Sequence, residues 1–368
     1  MRNIYVLILI LIAVVSCRNL KTEKNDKNNF AVIAYYTGDS KEIEKYPVEK
    51  LTHIIFSFLH LKGNELAFDK DVDRKTLRKL TSLKKNYKNL KVLISLGGWG
   101  GCKTCSEVFA SKEGRTAFAG SVKKILTDFN ADGIDLDWEY PAIEGYPGHR
   151  YTKEDKHNFT LLVKTLRKVL GDYYIISFAA GGFTDYIKNS IEWKEVMPVV
   201  DMVNVMTYDL VNGYSTVTGH HTPLYSNPKQ KESVDNAVRM LDSIEVDKKK
   251  IIIGAAFYAR VWESVPDTNN GLYQPGKFKT AVNYKDFDNT FTAEKGFKHF
   301  WDVKSKAPYM YNTKEKLFAT FDDPKSIALK TRYAIDNNLG GIMFWELTLD
   351  KYKNGLVDVI YQTIKSAE

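Results

Sequence analysis

Four acidic residues stand at short, regular spacing in residues 132–141, which read DGIDLDWEYP. Side chains two residues apart in a β-strand lie on the same face, so a strand here would point Asp135, Asp137 and Glu139 to one side. Carboxyl groups about 6–7 Å apart cannot all ionise cheaply in a poorly solvated interior, so pKa values rise and the protons titrate together. A proton shared between Asp135 and Asp137 would let Asp137 turn toward Glu139 and keep Glu139 protonated. The segment therefore predicts a general acid at Glu139 that works near neutral pH.

The residues around these acids argue against two simpler interpretations. Ile134, Leu136 and Trp138 would point away from the acids and need a covered outer face, which a solvated edge strand lacks. A metal site is disfavoured because no His pair stands at ligand spacing nearby, and His220 and His221 lie far away in the sequence. We therefore expect no metal and no cofactor. Motifs of serine hydrolases, zinc proteases and P-loop enzymes are also missing from the sequence.

The acids need a framework, and eight short apolar runs predict its strands: residues 31–36, 53–58, 92–96, 133–137, 174–178, 202–206, 251–254 and 341–345. Amphipathic stretches between them predict helices at 74–87, 115–129, 153–170, 232–244 and 324–337. Continuous apolar strands that alternate with helices indicate a parallel sheet covered on its outer face. We predict an α/β fold, a (β/α)₈ TIM barrel, with a doubly wound open sheet as the alternative. Active sites of such barrels lie at the C-terminal ends of the strands, where Glu139 would be presented.

One connection is too long for a plain barrel. About 80 residues separate the seventh strand, taken to end at Arg260, from the eighth, and a barrel unit needs roughly half that length. The segment is rich in Tyr, Phe and Trp. We therefore predict a small α+β insertion at about 261–339, between strands seven and eight, at the rim of the active site.

The acidic segment matches a known signature. Its pattern, Asp132-x-x-Asp135-x-Asp137-x-Glu139, resembles that of glycoside hydrolase family 18, the chitinases and their relatives. Further family-like motifs follow at predicted strand ends: Ser95-Leu96-Gly97-Gly98-Trp99, Met206-Thr207-Tyr208-Asp209, Tyr258-Ala259-Arg260 (Ala in the usual Gly place) and Trp345, while Tyr35 and Phe58 fit strands one and two. The resemblance covers nearly the whole chain from Phe30, and the insertion resembles the chitinase insertion domain.

The resemblance implies a retaining mechanism in which the substrate's own acetamido group attacks the anomeric carbon. Glu139 would be the acid and later the base, Asp137 would hold the acetamide N–H, and Asp135 would be the buried proton partner of Asp137. Tyr208 would complete the catalytic set by bonding the acetamide oxygen. The substrate-binding residues implied in the same way are Tyr35, Phe58, Ser95, Trp99, Tyr140, Met206, Asp209, Tyr258, Arg260 and Trp345. Asp132 would be structural and fix the loop that enters the fourth strand.

Two rival functions share this resemblance. A chitin-binding lectin on the same fold would usually lack the terminal acid, and Glu139 is present. An endo-β-N-acetylglucosaminidase acting on the chitobiose cores of N-glycans would share the acids, but such enzymes generally lack a full insertion domain. We therefore expect a chitinase-type hydrolase whose partners are chitin and chitooligosaccharides. One departure is local, because many members carry a Trp soon after strand one where this chain reads Thr37-Gly38-Asp39, which makes stacking at one outer subsite doubtful.

Composition bounds the remaining possibilities. The 368 residues are 44% hydrophobic and 27% charged, which excludes disordered, collagen-like and coiled-coil classes. The net charge is +8 without long runs of one sign, so we expect a solvated basic surface and no nucleic-acid partner. We also expect a monomer. Three cysteines are too few for a disulfide scaffold. Cys102 and Cys105 favour a tight disulfide in the loop after strand three, rather than a redox centre or half of a zinc site.

The N-terminus has the pattern of an export signal. Arg2 precedes an apolar run at residues 4–15, which is too short to span a bilayer, since a span takes about 20 residues. The run ends in Val14-Val15-Ser16-Cys17, which resembles a bacterial lipoprotein signal cleaved before a lipid-carrying cysteine. An ordinary secretory signal is the alternative. We predict a signal peptide at 1–16, lipid on Cys17, a polar tether over 17–29, a folded part from 30 to 368, and an exported lipoprotein anchored to the membrane at the cell envelope or surface.

Overall fold

The computed structural model describes residues 30–367, and its centre is a closed parallel barrel. The strands are β1 (Ala31–Tyr36), β2 (His53–Lys62), β3 (Glu65–Ala67), β4 (Lys91–Gly97), β5 (Gly133–Asp137), β6 (Ile175–Gly181), β7 (Met202–Met206), β8 (Ile251–Ala256), β9 (Tyr258–Glu263), β10 (Lys277–Asn283), β11 (Phe297–Asp302), β12 (Ala307–Asn312), β13 (Leu317–Thr320) and β14 (Gly341–Trp345). The predicted signal peptide, Cys17 and the tether lie outside the described residues.

The barrel is formed by β1, β2, β4, β5, β6, β7, β8 and β14 in that order, and β1 closes it by pairing with both β14 and β2. Every pairing around the ring is parallel, for example Ala31 with Gly341 and Tyr35 with Ile55. The short β3 only adds an antiparallel hairpin to β2. The predicted (β/α)₈ barrel is confirmed, and the predicted strands differ from the observed ones only at their ends.

Helices cover the outside of the ring. The described helices are α1 (Asp71–Ser82), α2 (Cys105–Ala110), α3 (Lys112–Phe129), α4 (Asp155–Leu170), α5 (Thr184–Asn189), α6 (Trp193–Val196), α7 (Val234–Ser243), α8 (Phe287–Thr290), α9 (Pro324–Asp336) and α10 (Leu356–Lys365), and of these α8 belongs to the insertion, where it packs against β10. Several begin at side-chain caps, as where Ser111 accepts from the Gly114 N–H and Asp323 from the Ser326 N–H. Within residues 30–367, no helix combines the length and apolar content needed to cross a bilayer.

Alternation along the strands divides the apolar residues between two cores. On β5, Ile134, Leu136 and Trp138 point outward into the large core under the helices. Inward-facing residues such as Ile33 and Leu93 fill a second, smaller cluster inside the barrel. This arrangement directs Asp135 and Asp137 inward, toward the C-terminal ends of the strands.

The insertion is a five-stranded antiparallel sheet of order β10-β9-β13-β12-β11 around its own core. The prediction that barrel strand seven runs to Arg260 is wrong, because β8 ends at Ala256 and Tyr258 begins β9 of the insert sheet. A separate strand starts there because the residues from Tyr258 onward pair with β10 and β13 of the insert sheet, while Phe257 stacks on Phe344 at 4.2 Å between ring centres. The insert sheet ends at Thr320, whereas α9, within the predicted span 261–339, packs against the barrel strands β8 and β14.

Candidate active site

The lowest carboxylate of the acidic row is Asp135, which is fully buried and accepts four hydrogen bonds. Tyr35 Oη and Ser95 Oγ donate to its Oδ2 at 3.0 and 3.1 Å. Ser177 Oγ and Asn204 Nδ2 donate to its Oδ1 at 2.6 and 3.0 Å. Burial raises the pKa of Asp135, and these hydrogen bonds oppose that rise because they favour the charged form. Of the three acids, Asp135 therefore has the most hydrogen-bond donors that stabilise its ionised form.

Asp137 lies above it with the opposite surroundings. Its side chain is buried, and no hydrogen-bond partner reaches Oδ1 from the part of the chain that the structure describes. Burial and then the charges of Glu139 and Asp135 raise the pKa of Asp137 well above its usual range. The proton that we expected Asp135 and Asp137 to share is therefore drawn to Asp137, since Asp135 is already surrounded by donors.

Glu139 follows at the end of β5, where it is partly exposed to the barrel mouth. Burial raises its pKa to about 7, a hydrogen bond from Tyr140 works in the opposite direction, and the charge of Asp209 adds to the rise. Glu139 is thus a carboxylic acid that keeps its proton up to neutral pH. This is the property that the sequence spacing predicted for it.

Asp209, just beyond the end of β7, connects the barrel to the insert sheet. Arg260 of β9 donates to both of its oxygens, with Nε lying 2.7 Å from Oδ1. His221 Nδ1 lies 3.5 Å from the same Oδ1. Burial would raise the pKa of Asp209, but the close contact with His221, the hydrogen bonds from Arg260 and the Arg260 charge hold it well below its usual range. Asp209 is therefore a fixed negative charge beside the acid Glu139.

Tyr208 stands between this ion pair and the acids. Its ring packs edge-on against Tyr258 at 6.3 Å, and its hydroxyl makes only a long contact, 3.9 Å to Met343 Sδ, within the described residues. Burial and nearby negative groups raise its pKa well above the usual range, so it stays a hydrogen-bond donor. Met206, also predicted as a site residue, ends β7 on the inner face of the barrel beside this tyrosine.

An apolar floor lies beneath the acids. Trp345 ends β14, stacks on Phe58 at 5.6 Å with an interplanar angle of 16°, and contacts Tyr35 at 5.8 Å. Trp345 remains partly exposed, so its other face can receive a flat apolar surface such as a sugar ring. The structure therefore brings the predicted floor residues together.

The rim of the mouth carries a second aromatic group. Trp99 is 47% exposed, and its ring lies 6.3 Å from Tyr140, 5.6 Å from Tyr146 and 6.2 Å from Tyr214. We did not predict Tyr146 and Tyr214 from the sequence, because both stand in loops with no periodic pattern. An aromatic surface of this kind is typical of a wet binding site for amphipathic ligands.

Sequence analysis also missed Ser177 and Asn204, which donate to Asp135. A signal for both was available. Ser177 pairs with Asp135 in strand register, and Asn204 lies two residues before Met206 on β7, so the same alternation that turns Asp135 inward applies to them.

Three predicted residues lie away from the acids. Asp132 sits at the start of β5, where its Oδ2 accepts from the Val92 N–H at 2.8 Å and from Lys84 Nζ at 3.0 Å. It ties β5 to β4 at the end of the barrel opposite the mouth. Cys102 and Cys105 form a disulfide with an S–S distance of 2.00 Å in the loop that follows Trp99.

Comparisons with known proteins agree on one family. The model of glycosyl hydrolases family 18 matches residues 31–350. Chitinase A1 of Niallia circulans is 33% identical over 302 residues, which cover 75% of this chain and 43% of that protein. An endochitinase of Manduca sexta is 28% identical over 359 residues, covering 88% of this chain and 64% of the relative.

A solved structure agrees with these relatives. A glycoside hydrolase family 18 N-acetylglucosaminidase from Paenibacillus barengoltzii superposes with a TM-score of 0.83 at 35% identity, over 91% of this chain and all of that one. The chain thus spans about half to two thirds of the two curated chitinases named above.

Proposed function

The chain belongs to glycoside hydrolase family 18 and is of the chitinase type, and we propose that it hydrolyses β-1,4-linked N-acetylglucosamine polymers with retention of configuration. The observation that carries this proposal is the acidic row itself. A carboxylate surrounded by donors (Asp135), a carboxyl oxygen without a partner among the described residues (Asp137) and a protonated acid (Glu139) follow one another up the barrel. The aromatic floor at Trp345 lies beside them.

In the proposed mechanism, the acetamido group of the sugar over Trp345 is the nucleophile. Its N–H donates to Oδ1 of Asp137, and its oxygen accepts from the Tyr208 hydroxyl until it turns onto the anomeric carbon. The bond from that oxygen to the anomeric carbon forms as the glycosidic bond breaks, and Glu139 gives its proton to the leaving oxygen. The product is an oxazolinium ion, whose positive charge Asp137 and Asp135 stabilise.

Water completes the reaction. Glu139, now ionised, removes a proton from a water molecule that attacks the anomeric carbon on the face the leaving group vacated, and the acetamide is restored. Two inversions at one carbon give net retention. Glu139 ends protonated, as it began, so the cycle balances without a cofactor.

Activity should depend on pH through Glu139. Its pKa of about 7 means that the group is protonated below that value and loses the transferable proton above it. We therefore expect kcat/KM to fall about tenfold for each pH unit above about 7, while a carboxylic acid at its ordinary value would already lose activity above about pH 4.3. A kcat/KM profile on chitotetraose from pH 4 to 9 measures this. An alkaline limb centred below pH 5 would contradict the assignment.

Trp99 should contribute to binding of longer chains. Its 47% exposed ring offers a stacking surface at the rim, and covering a large apolar side chain contributes about 1.5–3 kcal/mol. We expect Trp99→Ala to raise KM for chitohexaose about tenfold or more and to change KM for a disaccharide reporter much less. Tyr173→Ala is the matched control, because Tyr173 is 81% exposed and its ring contacts only Tyr174 within the described chain. Equal effects of the two variants would remove Trp99 from the binding surface.

The glycan-core alternative is not favoured. An enzyme that cuts next to a branched, protein-linked glycan gains from an open site, whereas here a complete five-stranded insert sheet is tied to the mouth through Arg260 and Asp209. A wall in this position supports binding of a long unbranched chain. The lectin alternative is disfavoured because Glu139 has the raised pKa of a working acid.

We further propose that the protein is exported and anchored by lipid on Cys17, which lies outside the described residues. The proposal rests on the apolar run ending in Val14-Val15-Ser16-Cys17. Cys17→Ala should move the protein from the membrane fraction to the soluble fraction, while the kcat of the folded domain stays unchanged. A wild-type protein that is already soluble and begins at another residue would show that the anchor is absent.

A further inference from the structure

A buried ion pair lies behind the active site, where the insert leaves and rejoins the barrel. Lys330 of α9 and Asp322 are both fully buried, and Lys330 Nζ donates to the two carboxylate oxygens at 2.8 and 2.6 Å. Nζ also donates to Thr222 Oγ1, and Ser326 Oγ donates to Asp322 Oδ1 at 2.7 Å. We call Thr222, Asp322, Ser326 and Lys330 the junction cluster.

The junction cluster joins the two ends of the insert. Asp322 lies two residues after the end of β13, the strand of the insert sheet that comes last in the chain and pairs with β9. Its Oδ2 accepts the backbone N–H of Ala256, the last residue of β8, at 3.1 Å. One carboxylate therefore fixes both the point where the chain leaves the barrel and the point where it returns.

The same cluster reaches the segment after β7 that contains Tyr208. Thr222 Oγ1 donates to the carbonyl oxygen of Thr207 at 3.1 Å, and Thr207 Oγ1 bridges to Gly254 of β8 at 2.8 Å. Thr207 directly precedes Tyr208 and Asp209. A path of hydrogen bonds therefore leads from Lys330 to the backbone next to two residues of the site.

A buried ion pair is weak evidence for stability, because removing two charges from water costs about as much as their attraction returns. Its hydrogen bonds are nevertheless directional, and they connect the cluster to Ala256 at the end of β8 and to Thr207 just after β7. Both segments lie at the mouth of the barrel. Thr320 pairs with Arg260 across β13 and β9, and Arg260 holds Asp209. A shift of the junction would therefore displace Arg260 relative to Asp209.

We propose that Asp322 and Lys330 are positioning residues of the glycosidase site, which hold the ends of β7 and β8 against the insert so that Tyr208, Asp209 and Arg260 stay aligned. They touch no substrate and act through Thr207 and Ala256. The inference rests on the proposed hydrolysis of chitin, and it adds a role for a cluster behind the cleft.

The first test compares two conservative substitutions. Thr222→Val removes the hydroxyl that links Lys330 to Thr207, and Thr331→Val removes a hydroxyl that bonds only Ile327 O, at 2.8 Å, within α9. Both threonines are buried, so the change in packing is matched, while Thr222 Oγ1 also loses its contacts with Thr207 O, Asp322 Oδ2 and Lys330 Nζ. We expect Thr222→Val to lower kcat/KM on chitotetraose about 3- to 10-fold per folded molecule and Thr331→Val to leave it unchanged, although Thr222→Val should lower the melting temperature more because it removes more hydrogen bonds. Equal kinetic constants per folded molecule in the two variants would overturn the proposal.

A second variant removes the charges together. Asp322→Asn with Lys330→Met keeps the shape and an acceptor for the Ala256 N–H without leaving a lone buried charge, so the protein should fold. We expect it to raise KM for chitohexaose more than KM for a disaccharide reporter, because the insert wall is no longer fixed. A merely destabilising change would lower the active fraction and leave both KM values unaltered, and that result would contradict the proposal.

Amide hydrogen exchange needs no substrate, so it tests the positioning role even if the proposed hydrolysis of chitin is wrong. If wild-type protein fails to cleave chitotetraose, the function is wrong, and amide hydrogen exchange then decides the role of the cluster. Faster exchange at residues 207–209 and 258–260 in Thr222→Val than in Thr331→Val supports positioning. Identical exchange in the two variants overturns it.

Discussion

Replacing Glu139 by Gln should lower kcat on chitotetraose by about 10²–10⁴ or more, which is the scale of the loss when a positioned general acid is removed. The amide keeps the shape of the side chain but has no proton that it can transfer to the glycosidic oxygen. Burial raises the pKa of Glu139 to about 7, so the wild-type group still carries a proton that it can donate at neutral pH. Binding of chitin oligomers, measured by calorimetry, should be retained.

The control for this change is Glu144→Gln. Glu144 is exposed in the loop that follows the same strand, so it undergoes the same chemical substitution five residues away. We expect its kcat and KM to equal those of the wild type. A Glu139→Gln enzyme with near-normal turnover would remove Glu139 from the role of acid.

Removing the acetyl group from the sugar in the cleavage subsite should abolish hydrolysis almost completely. An intramolecular nucleophile at a well-oriented position has an effective concentration of about 10⁵ M or more, so its loss should slow cleavage by at least about 10³-fold. In the proposed mechanism, Asp137 Oδ1, which has no partner among residues 30–367, also loses the amide N–H that it would accept. Initial rates on fully acetylated and fully deacetylated chitotetraose measure the effect.

The matched substrate carries an acetyl group only on the sugar that occupies the cleavage subsite. It should be cleaved much faster than the fully deacetylated oligomer, although both have lost acetyl groups elsewhere. Thiazoline mimics of the oxazolinium ion should inhibit the enzyme competitively. Rapid hydrolysis of the fully deacetylated oligomer would require a nucleophile from the protein and would exclude the acetamide mechanism.

The strands and the acidic row could be predicted from the sequence because their signals are local. Acids alternate with Ile134, Leu136 and Trp138, and this pattern alone indicates which face of the segment is covered by helices. The other strands are not needed for that inference. Eight apolar runs separated by helices leave few folds to choose from. The prediction of a general acid at Glu139 follows from its place at the end of such a strand.

What the sequence did not predict depends on contacts between distant residues. Asn204 and Asp135 are 69 residues apart in the sequence, and Thr222 and Lys330 are 108 residues apart. No local sequence pattern can therefore predict either contact. Arg260 was assigned to a barrel strand because the apolar run continues through Phe257, where the chain in fact changes from one sheet to another. The charge state of the row also needed the structure, since it depends on how many donors reach Asp135.

Product analysis by mass spectrometry tests the central claim most directly. Wild-type protein is incubated in parallel with chitohexaose and with a high-mannose glycopeptide that carries an intact chitobiose core. We predict shorter chitooligosaccharides from the first substrate, no cleavage of the second, and no products from either with Glu139→Gln. Cleavage of the glycopeptide with chitohexaose left intact would contradict the account and identify the insert-bearing barrel as a glycan-core enzyme.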